Sequence, residues 1–253
     1  MIQEIKEYIS EYSPRIERND GDERWYRITN ETNWLPSVTT MIGSVLNKGK
    51  GFEQWLGNSL NYETACEKRD EAAKVGTLVH SLCERLMLGE AITEQKDERV
   101  IKRLMSFVEW FSIHNPQIIA LEMKLVHKDV PYSGTPDIVC LIDGKIHLVD
   151  IKTGAPYNSH ELQLTCYKAL WDANFPMYPI DIMGGLYLKD SWISKVEPIY
   201  KKYKYVPGVV NNVYNVWLWQ NGGNPKPKNK RPLNTYFKLK GVEDEGKIRM
   251  SEL

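Results

Sequence analysis

No apolar run in this sequence approaches the ~18 to 20 residues that a membrane-spanning helix requires. Cysteine is scarce: Cys66, Cys83, Cys140 and Cys166 are scattered and form no C-x-x-C pair. That speaks against a zinc ribbon or knuckle and leaves buried, reduced thiols as the plain reading. Net charge is missing too. Lysine plus arginine and aspartate plus glutamate number 33 each, so attraction for a polyanion has to come from a local patch. There is no internal repeat and no low-complexity tract before about residue 200. The first residues, MIQEIKEYISEY, are acidic, unlike a signal or transit peptide. The expectation is a soluble, cytoplasmic protein.

What is present suffices for a large core, since 253 residues with 42% hydrophobic content bury most of their apolar surface on folding. Arg24 to Thr29 reads as a short strand. Pro36-Ser37 then opens a helix through Leu46, with Ser37 as N-cap, and Gly49 and Gly51 stop it. From Phe52 to Leu88 the pattern is mostly helical with a break expected near Gly76, and Glu98 to Ile113 is a further amphipathic helix. The character then changes. Ile118 to His127, Thr135 to Ile142 and Lys145 to Ile151 are β-branched, apolar runs that predict a three-stranded meander. His160 to Ala173 returns to helical periodicity, Ile180 to Leu188 and Lys195 to Tyr200 read as strands, and Val209 to Trp219 as a last helix. The order implies an α/β fold with a central mixed β-sheet flanked by helices and a helical N-terminal half. It reads as a single domain over 1–253: a mainly helical wall at 35–115, a sheet core at 116–200 and a C-terminal extension at 201–253.

Chemistry concentrates on the hairpin. Asp143-Gly144 between apolar strands predicts a type I′ turn, which pairs Ile142 with Lys145, Leu141 with Ile146 and Val139 with Leu148, and brings Asp137 opposite Asp150. Two carboxylates that close repel one another and call for compensation. The period of two puts Lys152 on the face of Asp150, and a divalent cation with oxygen ligands suits such a trio. A salt-bridged Asp-Lys-Asp cluster without a ligand, or a slipped register, would serve the same residues.

Ser133-Gly134-Thr135-Pro136-Asp137, twelve intervening residues and Asp150-Ile151-Lys152 resemble the PD-(D/E)xK nuclease pattern. Gly76 with His80 resembles the G-x-x-x-H motif of the RecB-like exonuclease branch, and Gln163 with Tyr167 its Q-x-x-x-Y motif. Leu35-Pro36-Ser37-Val38-Thr39 is similar to a segment preceding the core in mitochondrial genome maintenance exonucleases and related phage exonucleases. The resemblance covers roughly residues 35 to 190, with four motifs in the family's order.

The resemblance implies a restriction-endonuclease-like core and hydrolysis of DNA phosphodiesters from the ends of single strands, in recombination, replication or repair. It implies Mg2+ as cofactor, with Mn2+ able to substitute, held by Asp137, Asp150, the Ile151 carbonyl and His80. Lys152 would orient or activate the attacking water. Glu122 matches an acidic position before the hairpin that supports the lysine or the metal shell, and Gln163 and Tyr167 would reach the lysine or the DNA backbone. No cysteine triplet follows Tyr167, so no iron-sulfur cluster is expected. DNA is the expected partner, with no membrane, in a bacterium or in the bacterial host of a phage. Glu84 shares the helical face of His80 but reads by default as an exposed carboxylate. Rival readings are a structure-specific endonuclease, a catalytically silent DNA-binding scaffold and a metal-stabilised protein without a nucleic-acid partner. Trp55, Trp110, Trp171, Trp192, Trp217 and Trp219 read mainly as core. The basic stretch at 222–232, with Lys226, Lys228, Lys230 and Arg231, reads as solvated surface with phosphate contact as the lesser alternative.

Overall fold

The turn that organises the molecule is the one between Ile138–Ile142 (β7) and Lys145–Lys152 (β8). Asp143 and Gly144 have φ of 49° and 75°, the positive pair that a type I′ turn demands. The register follows, with Ile142 opposite Lys145, Leu141 opposite Ile146 and Val139 opposite Leu148. The computed structural model describes residues 1–12, 14–21, 23–46, 57–189, 198–223 and 225–227.

Around this hairpin lies a five-stranded mixed sheet. Gln117–Leu121 (β4) pairs antiparallel with β7, and Ile182–Tyr187 (β9) pairs parallel with β8. Ile199–Tyr203 (β10) closes the edge antiparallel to β9. The parallel pair needs a crossover, which is the helix Asn158–Asn174 (α5). Alternation along the strands splits the core in two. Val139, Leu141, Ile146 and Leu148 pack with α5, with Ile2–Ser10 (α1), Val38–Val45 (α2) and Gly208–Gln220 (α6). Ile138, Cys140, Ile142, Val149 and Ile151 pack against Tyr62–Met87 (α3) and Glu98–His114 (α4) on the other face. A small sheet, Ile16–Asp20 (β1), Arg24–Ile28 (β2) and Leu35–Pro36 (β3), stands beside this body, and Leu125–Val126 (β5) pairs with Ser133–Gly134 (β6). No helix among the described residues is long and apolar enough to cross a membrane.

Three expectations need correction. The helix does not break at Gly76 but runs unbroken as α3, because a single interior glycine costs only about 1 kcal/mol, which the packing of Val75, Val79, Leu82 and Cys83 offsets. The strand expected over 118–127 is two pieces, β4 and β5, separated at Glu122, whose φ is 44°. Polar β1, which carries no apolar alternation, was not expected at all. Ser37 does cap α2, its Oγ accepting the Thr40 N–H at 3.0 Å, and the last helix forms as α6. The strand expected from Lys195 begins at Ile199; residues 195–197 lie outside the described ones, as do Trp55, Trp192, Lys228, Lys230 and Arg231. Trp110, Trp171 and Trp217 are fully buried, whereas Trp219 is exposed.

On β8, His147 is buried, with Nδ1 2.9 Å from the Tyr200 hydroxyl. Burial first, then the charge of Lys202, pushes its pKa down to about 4. Folding therefore favours the neutral ring. The stability this gives is complete above the unfolded value of ~6.5 and is lost as pH falls toward about 4. Between pH 7 and pH 5 the urea midpoint of the wild-type protein is expected to fall relative to that of His147→Gln; an equal change in both proteins would reject the assignment.

Candidate metal and active site

The backbone ladder of the hairpin ends at Ile138 and Val149, leaving Asp137 one step beyond the last pair. Its Oδ2 accepts the Ile151 N–H at 2.8 Å, so the carboxylate takes the place of a ladder carbonyl and is fixed at the strand end. Ile151 packs its side chain into the core beneath α3.

Two other elements bring donors to Asp137. Atoms of His80, Glu122 and Asp137 lie within 4.8 Å of one another, each side chain half-buried, and His80 Nδ1 is 3.4 Å from Asp137 Oδ2. His80 sits one turn after Gly76 on α3, where a Cβ on Gly76 would stand 3.0 Å from Thr153 Oγ1. Glycine there lets the helix pass close to the chain leaving β8. Glu122 arrives by its left-handed backbone, an uncommon conformation for a non-glycine residue, stabilised by its N–H donating to the Asp137 carbonyl at 3.0 Å. Burial first, then the charges of Asp137 and Glu84, push the Glu122 carboxyl up to about 8, against the pull of Arg18 and Arg24. Two acids this near one another in a half-buried setting, with Glu84 adding its charge, are held at an energetic cost, which a cation would relieve.

Beside this group runs a hydrogen-bonded chain. Asp150 is only 2% exposed, and burial raises its carboxyl while Lys152 opposes the rise. Lys152 Nζ lies 2.5 Å from Asp150 Oδ2 and donates to Gln163 Oε1 at 2.8 Å. Gln163 Nε2 in turn donates to the Tyr167 hydroxyl at 3.3 Å. Spacing of four on α5 aligns Gln163 and Tyr167, and only Gln163 reaches the lysine. Tyr167 packs on Gly134, where a Cβ would meet its ring at 2.7 Å and Leu170 at 2.9 Å; this gives the glycine of the SGTPD segment its packing reason. Asp150 is not part of the His80, Glu122 and Asp137 group. Its buried Oδ2 has the Lys152 ammonium as its partner, and a carboxylate oxygen is a ligand type that suits a hard divalent cation.

Sequence reasoning missed the small sheet's contribution. Arg18 on β1 and Arg24 on β2 both pair with Asp20, at 2.7 and 3.1 Å, and their charge is felt at Glu122. Arg24 opens a strand the sequence does predict, but nothing in polar β1 marks Arg18. Ser37, in the LPSVT segment, bridges to Ser133, and Tyr26 and Thr135 share a buried hydroxyl hydrogen bond of 2.8 Å. Together these contacts tie the small sheet to the strand that carries Asp137.

No family model and no curated protein sequence matches the chain. Among solved structures it is similar to an alkaline exonuclease, LHK-Exo from Laribacter hongkongensis, with 11% identity and a TM-score of 0.40 over 74% of this chain and 87% of that one. It is also similar to SSO0001, with 10% identity and a TM-score of 0.30 over 58% of this chain and 86% of that one.

Proposed function

We propose that this protein is a metal-dependent DNA nuclease of the RecB-like PD-(D/E)xK type, an exonuclease acting from the ends of single-stranded DNA in recombination, replication or repair. One observation carries the reading: His80, Glu122 and Asp137 offer ligand atoms within 4.8 Å of one another, directly beside the Asp150, Lys152 and Gln163 chain. The order of the sequence motifs supports the same reading independently.

Asp137, Asp150 and the Ile151 carbonyl would hold the cation with His80, and Glu122 would complete the set. Carboxylate and carbonyl oxygens suit Mg2+ or Mn2+. When bound, such a cation favours ionisation of water and offsets the charge that gathers on the phosphate. Lys152, held between Asp150 and Gln163, presents an ammonium to the reacting phosphate and orients the attacking water. Gln163 and Tyr167 position the lysine rather than touch the phosphate.

Linear and circular single strands separate the two habits of cleavage. End-labelled linear DNA is expected to be degraded under Mg2+ while circular single-stranded DNA of the same sequence survives. Cleaved circles would replace the exonuclease by an endonuclease at the same site.

A further inference from the structure

On the same face of the sheet as Lys152, on the neighbouring strands β9 and β10, lies a polar group that the hydrolytic site does not use. Tyr187 is the register partner of Lys152 across β8 and β9. Its ring lies over Gly185, where a Cβ would stand 2.9 Å from it. Its hydroxyl meets His160 Nδ1 at 2.7 Å and the Tyr203 hydroxyl at 2.5 Å. Lys201, the register partner of Gly185, holds its Nζ 4.8 Å over the Tyr203 ring. It is exposed and has no carboxylate within ion-pair distance among the described residues.

The hydrogen bonds fix a proton. The Tyr157 N–H also points at His160 Nδ1, at 3.4 Å, which makes this nitrogen an acceptor, its one lone pair shared with the Tyr187 hydroxyl. The ring proton then sits on Nε2, a donor without a partner among the described residues. Tyr187 donates to the ring, and Tyr203 must donate to Tyr187, so neither hydroxyl has a proton to spare. Burial first, then Lys152, with Lys201 adding to it against the pull of Asp150, holds the His160 pKa down to about 4. His160 is thus a neutral donor that feels the charge of both lysines. Its place in the first turn of α5, at the positive end of the helix, adds to the field for an anion.

We propose that His160 Nε2–H and Lys201 form a second phosphate subsite, which binds a neighbouring phosphodiester of the substrate strand while Lys152 addresses the reacting one. This rests on the nuclease reading. Adjacent strands are ~4.8 Å apart, so the backbones that carry Lys152 and Lys201 are separated by roughly 10 Å across the sheet, room for two successive phosphates. The Tyr187 and Tyr203 pair is the positioning device: it holds the His160 tautomer so that Nε2 carries the donor proton.

The test compares a single-stranded oligothymidylate with thymidine 5′-(p-nitrophenyl) phosphate, which has one phosphate only. His160→Asn and Lys201→Ala are each expected to raise KM for the oligonucleotide about tenfold, the size of one charge-assisted hydrogen bond, with kcat and hydrolysis of the small ester unchanged. Lys201→Ala should also flatten the plot of log affinity against log salt by about 0.7, whereas His160→Asn, losing a neutral donor, should leave that slope alone. In Tyr187→Phe the nitrogen resonances of His160 should move from the single Nε2–H tautomer toward a mixture. An unchanged KM in Lys201→Ala, an exposed position that the fold does not need, overturns the subsite, as does an equal loss on both substrates. If the wild-type protein hydrolyses neither substrate, it is the nuclease reading that fails. Oligonucleotide affinity in chelator then decides the subsite: a tenfold weakening by Lys201→Ala supports it, and equal affinity overturns it.

Discussion

Lys152→Ala is expected to lower the rate of DNA hydrolysis by about 100- to 1000-fold, the usual effect of removing one preorganised group that stabilises developing charge. The ammonium is held at 2.5 Å from Asp150 Oδ2 and 2.8 Å from Gln163 Oε1, so its position is set before substrate arrives. Its removal also strands a carboxylate that is only 2% exposed. Breaking a buried pair on one side typically costs about 3–5 kcal/mol, so the variant should melt earlier, and its rate must be read at a temperature where circular dichroism shows it folded. Gln163→Ala, which loosens the lysine without removing it, should lose far less activity. A folded Lys152→Ala protein with activity within a few-fold of wild type would remove the lysine from the chemistry.

Saturating Mg2+ or Mn2+ should raise the melting temperature by roughly 5–10 °C. A hundredfold excess over Kd stabilises a fold by about 2.7 kcal/mol, and each kcal/mol moves a chain of this size by about 2–4 °C. The gain should depend on pH with a defined sign. Glu122 is raised from 4.5 to about 8, so in the metal-free protein folding favours its protonated form, and stability falls as pH rises from about 4.5 to about 8. A cation requires the carboxylate, so its binding expels that proton. Cation affinity should therefore climb with pH up to about 8 and then level off, and the pH-dependent loss of stability should vanish once the cation is bound. Melting curves in chelator and in Mg2+ between pH 5 and pH 9 measure both effects, with Asp137→Asn as the variant that should lose the cation's gain. A gain that does not vary with pH would take Glu122 out of the site.

The hairpin was legible because two independent signals agree on it: a dipeptide that tolerates positive φ, and apolar alternation on both sides. With the register fixed, the placement of Asp137 and Asp150 at the strand ends followed by counting. The spacing of Gln163 and Tyr167 was equally readable as one helical face, and the face does meet Lys152. What escaped were features that depend on backbone exceptions or on polar strands. Nothing in the run from Ile118 to His127 announces that Glu122 takes a left-handed conformation, yet that single residue ends β4 and brings the second acid to His80 and Asp137. Strand β1 carries charged residues on an edge, so no periodicity marks it, and the arginines near Glu122 went unseen. Gly76 was read as a breaker, but its value lies in the lost side chain beside Thr153, a tertiary contact that local propensity does not register. His160 had a readable signal: it stands one turn before Gln163, on the helical face that meets the sheet.

The central claim is that a divalent cation held at His80, Glu122 and Asp137, beside Asp150 and Lys152, makes this protein a nuclease. It is tested most directly by the rate of hydrolysis of linear single-stranded DNA, titrated with Mg2+ from excess chelator upward, in the wild-type protein and in Asp137→Asn. The predicted result is no cleavage in chelator, a saturable rise with Mg2+, and a variant that stays near baseline throughout. Cleavage undiminished by chelator, or none under either Mg2+ or Mn2+, would contradict it.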